Sequence, residues 1–424
     1  MGLESSIRER ADRLIAYIGE LTKVIGHADR ATPLRDYCAG LLVTEGRRSV
    51  EPMAAVTDPA HTSAQHQRLL HFVGNSSWSD ERVLSKVREL VVPSMTQRQP
   101  IQAWIVDDTG IPKKGEHSVG VHHQYCGQLG KQANCQVAVT LSVANRHASL
   151  PIAHQLYLPK EWIDDKERCK KAGVPPKTPF KTKPQIALEQ IRGAMEAGVS
   201  PGVILADGGY GVNSAMRLSL TEWGLTYVVG ITSAIKVIRA DDPKSKRVSV
   251  KELARRLPNR AWRTVVWRDG TNVKLRSRFA RVLVRTAPAQ GKAFSEETLL
   301  IEWPKDEAEP TKYWLSNVDP NMSLTRFVDL AKLRWRIERD YEELKQEVGL
   351  GHYEGRSWRG FHHHATLAIA AYGFLVSERE TIPPSGPGST VAIQKSPFPS
   401  GYRPRGSPNP AATPRPELDH HHPS

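Results

Sequence analysis

The sequence predicts an α/β protein: a mixed sheet with flanking helices, interrupted by a β-rich insertion and preceded by a helical module. Three observations carry this reading. Apolar residues recur at helical spacing through roughly the first 95 positions. Two short apolar runs, 103–106 and 203–206, each lead into an acid. A long amphipathic pattern from Ser323 to Gly349 follows a polar, strand-rich stretch.

Taken in order, residues 4–25 read as an amphipathic helix through Ile7, Leu14, Ile15, Ile18, Leu21 and Ile25. Helical patterns continue over Leu34–Leu42, Ser63–Phe72 and Asp80–Leu90, punctuated by Pro52, Pro59 and Gly74-Asn75. Ala103–Val106 then reads as a buried strand ending in Asp107-Asp108-Thr109-Gly110. Gln136–Val143 and Leu150–Leu158 form a hairpin about Asn145-Arg146-His147, and the charged, Pro/Lys-rich stretch Glu161–Pro184 reads as a solvent loop. Pro184–Ala197 is a helix with Gly198 at its C-terminal end. Val203–Ala206 repeats the earlier design, an apolar strand ending in Asp207-Gly208-Gly209-Tyr210-Gly211, with a helix (Asn213–Trp223) and a strand (Thr226–Ile231) behind it. Strands are expected at Arg263–Trp267, Phe279–Arg285, Thr298–Glu302 and Tyr313–Ser316. One helix from Ser323 to Gly349 and another over Gly360–Ser377 close the ordered part, and the Pro-, Gly- and Ser-rich stretch from Pro383 reads as disordered.

At 424 residues the chain has room for two or three domains. Its 39% hydrophobic and 25% charged residues mark an ordinary soluble globular protein. A net charge of +14 points to a polyanionic partner, nucleic acid before an acidic membrane surface, with a basic surface serving solubility as the plain alternative. Cys38, Cys126, Cys135 and Cys169 make neither a C-x-x-C pair nor a disulfide framework, so a reducing cytoplasm is expected. The N-terminus lacks a signal-peptide pattern, and the apolar run Thr366–Val376 is too short to span a bilayer.

The stretch Arg334-Trp335-Arg336-Ile337-Glu338, with Tyr341 and Lys345, places Arg334, Glu338, Tyr341 and Lys345 on one helical face. Ile337, Tyr341, Leu344 and Val348 form the adjoining apolar stripe. Alone, this is a solvated helix with ion pairs, or a carboxylate framed by cations for work on a phosphodiester. The company of Asp107 and Asp207 at strand ends favours the second, because open α/β sheets hold ligands there. Hard divalent ions take carboxylate oxygens, and two of them can activate a nucleophile and stabilise a leaving oxygen. Strand alternation lets only one of Asp107 and Asp108 face such a site.

These residues carry a family resemblance. Val106-Asp107-Asp108-Thr109-Gly110 resembles the first-strand Asp-x-Thr of the DDE transposases, which favours Asp107 over Asp108. Leu205-Ala206-Asp207-Gly208-Gly209-Tyr210-Gly211 resembles their second-aspartate motif. Arg334-Trp335-Arg336-Ile337-Glu338 with Lys345 resembles the R-x3-E-x6-K signature of insertion-sequence transposases that carry a β insertion before the glutamate helix. The resemblance spans about 95–380, with one departure: Ala331 stands where that signature places a Tyr.

The resemblance implies an RNase H-like core, with Asp107, Asp207 and Glu338 as catalytic metal ligands for two Mg²⁺ ions, Mn²⁺ being an alternative. It implies cleavage at transposon ends and strand transfer into target DNA. The partners would be double-stranded DNA, as terminal inverted repeats and target, with a homodimer on paired ends and no membrane. The protein would be cytoplasmic and nucleoid-associated. The expected divisions are 1–95, a DNA-binding helical module; 96–231, the first part of the core; 232–320, the insertion; 321–380, the glutamate and closing helices; and 381–424, the tail. Arg334, Arg336, Lys345, Lys113 and Lys114 are the expected nucleic-acid contacts, a basic turn being the equal alternative for the last two. A catalytically silent, transposase-derived DNA-binding protein is the runner-up. A hydrolase using Asp107 and Glu338 on a non-nucleic substrate is disfavoured by the charge.

Among other residues, His117, His122 and His123 read as ordinary loop or strand residues. His362, His363 and His364 read as surface or phosphate-near, since three consecutive helical residues cannot point one way. His420-His421-His422 falls in the tail. Trp314 and Trp335 could stack on an unpaired base, with core packing preferred for Trp335.

Overall fold

The computed structural model describes residues 2–242, 246–269, 274–286 and 295–381; the side chains of 2–7, 268, 269, 274, 295, 336 and 338–340 lie outside that description. The expected tail beyond 381, with His420-His421-His422, also lies outside the described residues.

Five helices come first: α1 (Gly2–Thr22), α2 (Ala31–Val43), α3 (Val50–Thr57), α4 (Thr62–Gly74) and α5 (Asp80–Thr96). Ser79 caps α5 by accepting from the Arg82 amide. Strands β1 (Ala103–Pro112), β2 (His122–Cys126), β3 (Lys131–Ala144) and β4 (Ser149–Leu156) follow. Next come α6 (Lys160–Asp164), α7 (Lys166–Lys171), α8 (Lys183–Glu196), β5 (Val203–Ala206), α9 (Gly208–Gly211), α10 (Ser214–Glu222) and β6 (Tyr227–Ile231). The insertion contains β7 (Lys236–Arg239), β8 (Val248–Ser249), α11 (Val250–Arg255), β9 (Arg263–Asp269), β10 (Lys274–Thr286), β11 (Ser295–Pro304) and β12 (Lys312–Ser316). Helices α12 (Leu324–Leu333), α13 (Trp335–Gln346) and α14 (Trp358–Thr381) end the described chain.

The core strands run β4–β3–β1–β5–β6. β3 is antiparallel to β1, whereas β5 and β6 run parallel to it. This is the RNase H-like α/β arrangement. β12 joins the free edge of β6, and the insertion continues the same sheet through β11 and β10. The insertion has a separate hydrophobic cluster that includes Val237, Leu253, Val284 and Leu299.

Two buried ion pairs fasten the insertion. Arg217 on α10 donates through Nε to Glu297 Oε1 at 2.8 Å, and the Tyr227 hydroxyl donates to the same oxygen at 2.6 Å. Lys332 on α12 reaches Glu302 Oε2 at 2.6 Å and sits 4.3 Å from the Trp267 ring centroid.

Helix α14 packs on α5, α2 and α4 and on β4. It is therefore enclosed on every side, and this corrects the reading of its histidines. His362, His363 and His364 are all buried. The Leu156 amide donates to His362 Nε2, the Tyr37 hydroxyl lies 2.9 Å from His364 Nδ1, and His363 stacks on Trp78 with centroids 3.6 Å apart.

Three further expectations are corrected. The stretch read as a solvent loop from Glu161 carries α6 and α7, because Trp162 and Ile163 are buried and the Trp162 indole donates to the Val121 carbonyl. Asp107 and Asp108 lie inside β1, since its ladder with β3 continues to Pro112 opposite Cys135. The helix expected from Ser323 to Gly349 is two helices, broken at Arg334, where the Ile337 amide bonds the Arg334 carbonyl. Ser323 does cap the first by accepting from the Arg326 amide, and Gly349 takes the left-handed conformation after the second.

Candidate active site

β1 pairs with β5 at Ala103 opposite Val203, Trp104 opposite Ile204 and Ile105 opposite Leu205. The offset is constant, so Asp107 and Asp207 stand level, two positions beyond the last pair. Adjacent strands lie about 4.8 Å apart, and level residues of neighbouring parallel strands share a face. The two carboxylates therefore meet at the carboxyl end of the parallel pairing.

The Asp107 carboxylate is held from two directions. Its Oδ1 accepts from the Asp108 amide at 2.9 Å, and Arg334 Nη1 lies 3.2 Å from its Oδ2. Burial pushes this carboxyl up to about 6; Arg334 draws it back, while Asp207 and Asp108 push it further up. Asp108 is engaged elsewhere, in an ion pair with Lys183 in the first turn of α8.

Asp207 caps the short turn that follows it, accepting from the Gly209 amide at 2.8 Å. That turn lies directly on β6. A Cβ at Gly211 would stand 1.9 Å from the Gly230 carbonyl oxygen, so no side chain fits there. Arg217 Nη1 also donates to the Gly211 carbonyl at 2.6 Å, which ties the Asp207 turn to Glu297 of the insertion.

On α13, Ile337, Tyr341, Leu344 and Val348 are buried as the apolar stripe requires. Arg336 and Glu338 belong to this helix, and their side chains are among those not described. Burial lowers the Lys345 ammonium from its ordinary range, while neighbouring Asp107 draws it back up. Lys345 shares a cavity wall with Lys113 and Lys114. The Lys113 ammonium is half-buried and donates to the Tyr353 carbonyl, whereas Lys114 is exposed.

Ala331 is buried in α12, so nothing phenolic stands there. Tyr210 supplies a phenol from a different place, and sequence reasoning gave it no role. Its hydroxyl is buried without a hydrogen-bond partner among the described residues. Burial raises its pKa, and Asp108, Asp107 and Asp207 add to the shift. Its only sequence signal was its place in the Asp-Gly-Gly-Tyr-Gly turn. Of the other residues weighed, His117 and His123 are exposed and His122 half-buried. Trp314 and Trp335 are half-buried, with Trp314 packed beside Lys332.

Two level carboxylates offer the hard oxygen donors that Mg²⁺ and Mn²⁺ prefer. Burial keeps the Asp107 carboxyl raised although Arg334 outweighs the repulsion from Asp207, and the Tyr210 hydroxyl beside them is unsatisfied among the described residues. These residues fit a divalent cation. Among the described residues no three His, Cys, Asp or Glu side chains form a ligand group, and Glu338 is outside that set.

Comparison with known proteins agrees with this geometry. Residues 20–274 match the DDE superfamily endonucleases, and residues 179–374 match the transposase DDE domain. The chain is also similar to a probable transposase for insertion sequence element IS701 from Microchaete diplosiphon, at 32% identity over 168 residues. That similarity covers 39% of this chain and 41% of the relative, less than half the length of either. With more than half of its length matched by the first of these families, the chain belongs to the DDE superfamily endonucleases, as an insertion-sequence DDE transposase.

Proposed function

We propose that this protein cuts DNA at the ends of its own insertion sequence and joins those ends to target DNA, with Asp107, Asp207 and Glu338 holding two Mg²⁺ ions that Mn²⁺ can replace. The observation that carries the reading is the level placement of Asp107 and Asp207 with Arg334 at 3.2 Å from the former. When bound, the metal lowers the pKa of an attacking water or 3′-hydroxyl and stabilises the leaving oxygen.

The chain's own residues supply the rest. Arg334 and Arg336 present forked donors to phosphate oxygens, and Lys345 adds a point charge. Lys113 and Lys114 extend the basic lining. Asp108 is held by Lys183, which supports Asp107 as the first ligand. The Tyr210 hydroxyl offers a donor beside the carboxylates. The helices of residues 1–95 grip the terminal inverted repeats, 96–231 and 321–380 form the catalytic core about the insertion at 232–320, and a homodimer pairs two ends. No helix among the described residues is long and apolar enough to cross a membrane, in keeping with work on the nucleoid.

The test is incubation with Mg²⁺ and DNA carrying the element's terminal repeats, beside Glu338→Gln. Specific end cleavage by the wild type alone is expected. Binding with no cleavage by either protein would mean a DNA-binding protein that no longer cuts. Loss of all DNA binding at moderate salt would overturn both readings.

A further inference from the structure

Beside the carboxylates lies a second feature built from parts of the chain far apart in sequence. A cavity of about 660 Å³ is lined by Arg47 from the segment between α2 and α3, Lys113 and Lys114 after β1, Lys345 on α13, and Glu354 and Arg356 before α14. Its size falls within the range, about 300–1,000 Å³, of pockets that enclose a small ligand, so it suits a short run of chain and not a whole duplex.

The lining is strongly one-sided in charge. The one carboxylate among these six residues, Glu354, is taken by Arg47 at 2.5 Å. Lys113, Lys114, Lys345 and Arg356 have no other carboxylate in this lining. Burial and the neighbouring Arg47 lower the Lys113 ammonium to about 8. An anion placed here would relieve that repulsion and recover the lost charge–charge energy. Lys345 belongs to this wall and also feels Asp107, so the cavity adjoins the carboxylate site.

The lining also says what does not bind. Its one phenol, Tyr353, is buried and stacked on His364 with centroids 5.3 Å apart, and of its two imidazoles His352 is half-buried and accepts from the Arg48 amide while His117 is exposed. No Trp, Phe or open Tyr face stands here for a base, and stacking on such rings is how unpaired bases are held without sequence preference. Phosphate contacts position a strand and carry no sequence information.

We propose that this cavity is a backbone-phosphate pocket, gripping the DNA strand that continues from the carboxylate site without reading its bases. Arg47 and Arg356 are its gripping residues, so the helical module takes part in holding DNA at the centre of reaction. The inference rests on the transposase reading above.

The test uses the full chain, with Arg47→Ala, Arg356→Ala and the double variant, against two unrelated random-sequence DNAs, each single-stranded and duplex. Binding is followed by fluorescence anisotropy over a salt series. Arg192→Ala is the control, a cation on α8 that stacks on Trp223 away from this cavity. Each pocket variant should lower the slope of log affinity against log salt by about 1, and weaken binding about tenfold at ~0.1 M salt, alike for both sequences. The control should leave the slope unchanged. Arg356 and Arg47 are exposed, so thermal melting should match wild type. If the wild type binds DNA and the double variant keeps its slope, the pocket inference fails while the transposase reading stands. A loss confined to one sequence would overturn it equally. If the wild type binds no DNA, the transposase reading itself fails and takes this inference with it.

Discussion

Arg334 and Asp107 meet across 227 residues of sequence, with Nη1 at 3.2 Å from Oδ2. Arg334 stands at the break between α12 and α13, so the turn there carries the guanidinium against the end of the parallel pairing. A lysine would keep the charge but lose the planar fork that matches carboxylate and phosphate. Arg334→Lys should bind terminal-repeat DNA like wild type yet cleave it slower, by a factor on the order of 10 to 100, the worth of one charged hydrogen bond. Single-turnover cleavage beside a binding isotherm checks this, and an unchanged rate would assign Arg334 a structural role only.

Asp107 and Asp108 should separate cleanly. Asp107→Asn should lower the cleavage rate by a factor on the order of 10² to 10⁴, the effect of losing several kcal/mol of metal-supplied stabilisation. Asp108→Asn removes a partly exposed pair with Lys183, worth less than about 1 kcal/mol, and should cost less than about tenfold in rate. Equal loss in the two variants, with melting unchanged, would refute the assignment of Asp107 as the first ligand.

The enclosed face of α14 should make the protein acid-sensitive. Burial pushes His154 down to about 3 and His362 and His364 down to about 4. An unfolded histidine titrates near 6.5. Below that pH the unfolded chain takes up protons that the folded chain refuses. Stability is therefore full above about 6.5 and is lost as pH falls toward 4, by up to ~1.4 kcal/mol per pH unit for each histidine. Asp80, bonded by Thr366 of α14 and raised to about 7, and Asp107, raised to about 6, work the other way, so urea midpoints measured from pH 7.5 to 5 should show a net fall set by the histidines, and a rise would contradict their burial.

Glu297 should be costly to alter. Its carboxylate receives Arg217 and the Tyr227 hydroxyl, all within the interior. Glu297→Gln leaves a buried guanidinium without its counter-charge, a loss of about 3–5 kcal/mol. Arg217→Met combined with Glu297→Leu should recover most of this. Because Arg217 also holds the Gly211 carbonyl, the single variant should slow cleavage through the Asp207 turn. Urea unfolding and cleavage of the three proteins decide the point; a double variant no better than the single would show that packing, not charge, governs the site.

Much of the core was readable because its signals are local. The run 203–206 ends in Asp207 as expected, and the stripe through Ile337, Tyr341, Leu344 and Val348 is buried. What escaped depends on partners remote in sequence. β1 outlasts its apolar run because β3 continues to pair with it beyond the acids. The break at Arg334 has no Gly or Pro to announce it, since none occurs between Ser323 and Gly349. The stretch Glu161–Pro184 looked like a loop by composition, yet Trp162 anchors a helix in it. The three histidines looked exposed because a helix with one buried stripe would show at least one of them to water; α14 has no such open side. At the site, the Arg334–Asp107 pair was foreshadowed only as a shared environment, and Tyr210 was visible as part of a motif without its unsatisfied hydroxyl.

The insertion leaves the core at Ile231 and returns at Tyr313, and these two residues face each other across the β6–β12 ladder. By connectivity alone, residues 232–312 are an overgrown hairpin loop, and two turn residues could close the same gap. The tie that prevents such a shortcut is electrical. Deleting the loop would take Glu297 from Arg217 and Glu302 from Lys332, together with Thr286, Trp267 and Phe279, which help cover the two cations. A shortened chain would need a new partner for Arg217, whose bond to the Gly211 carbonyl holds the Asp207 turn in place.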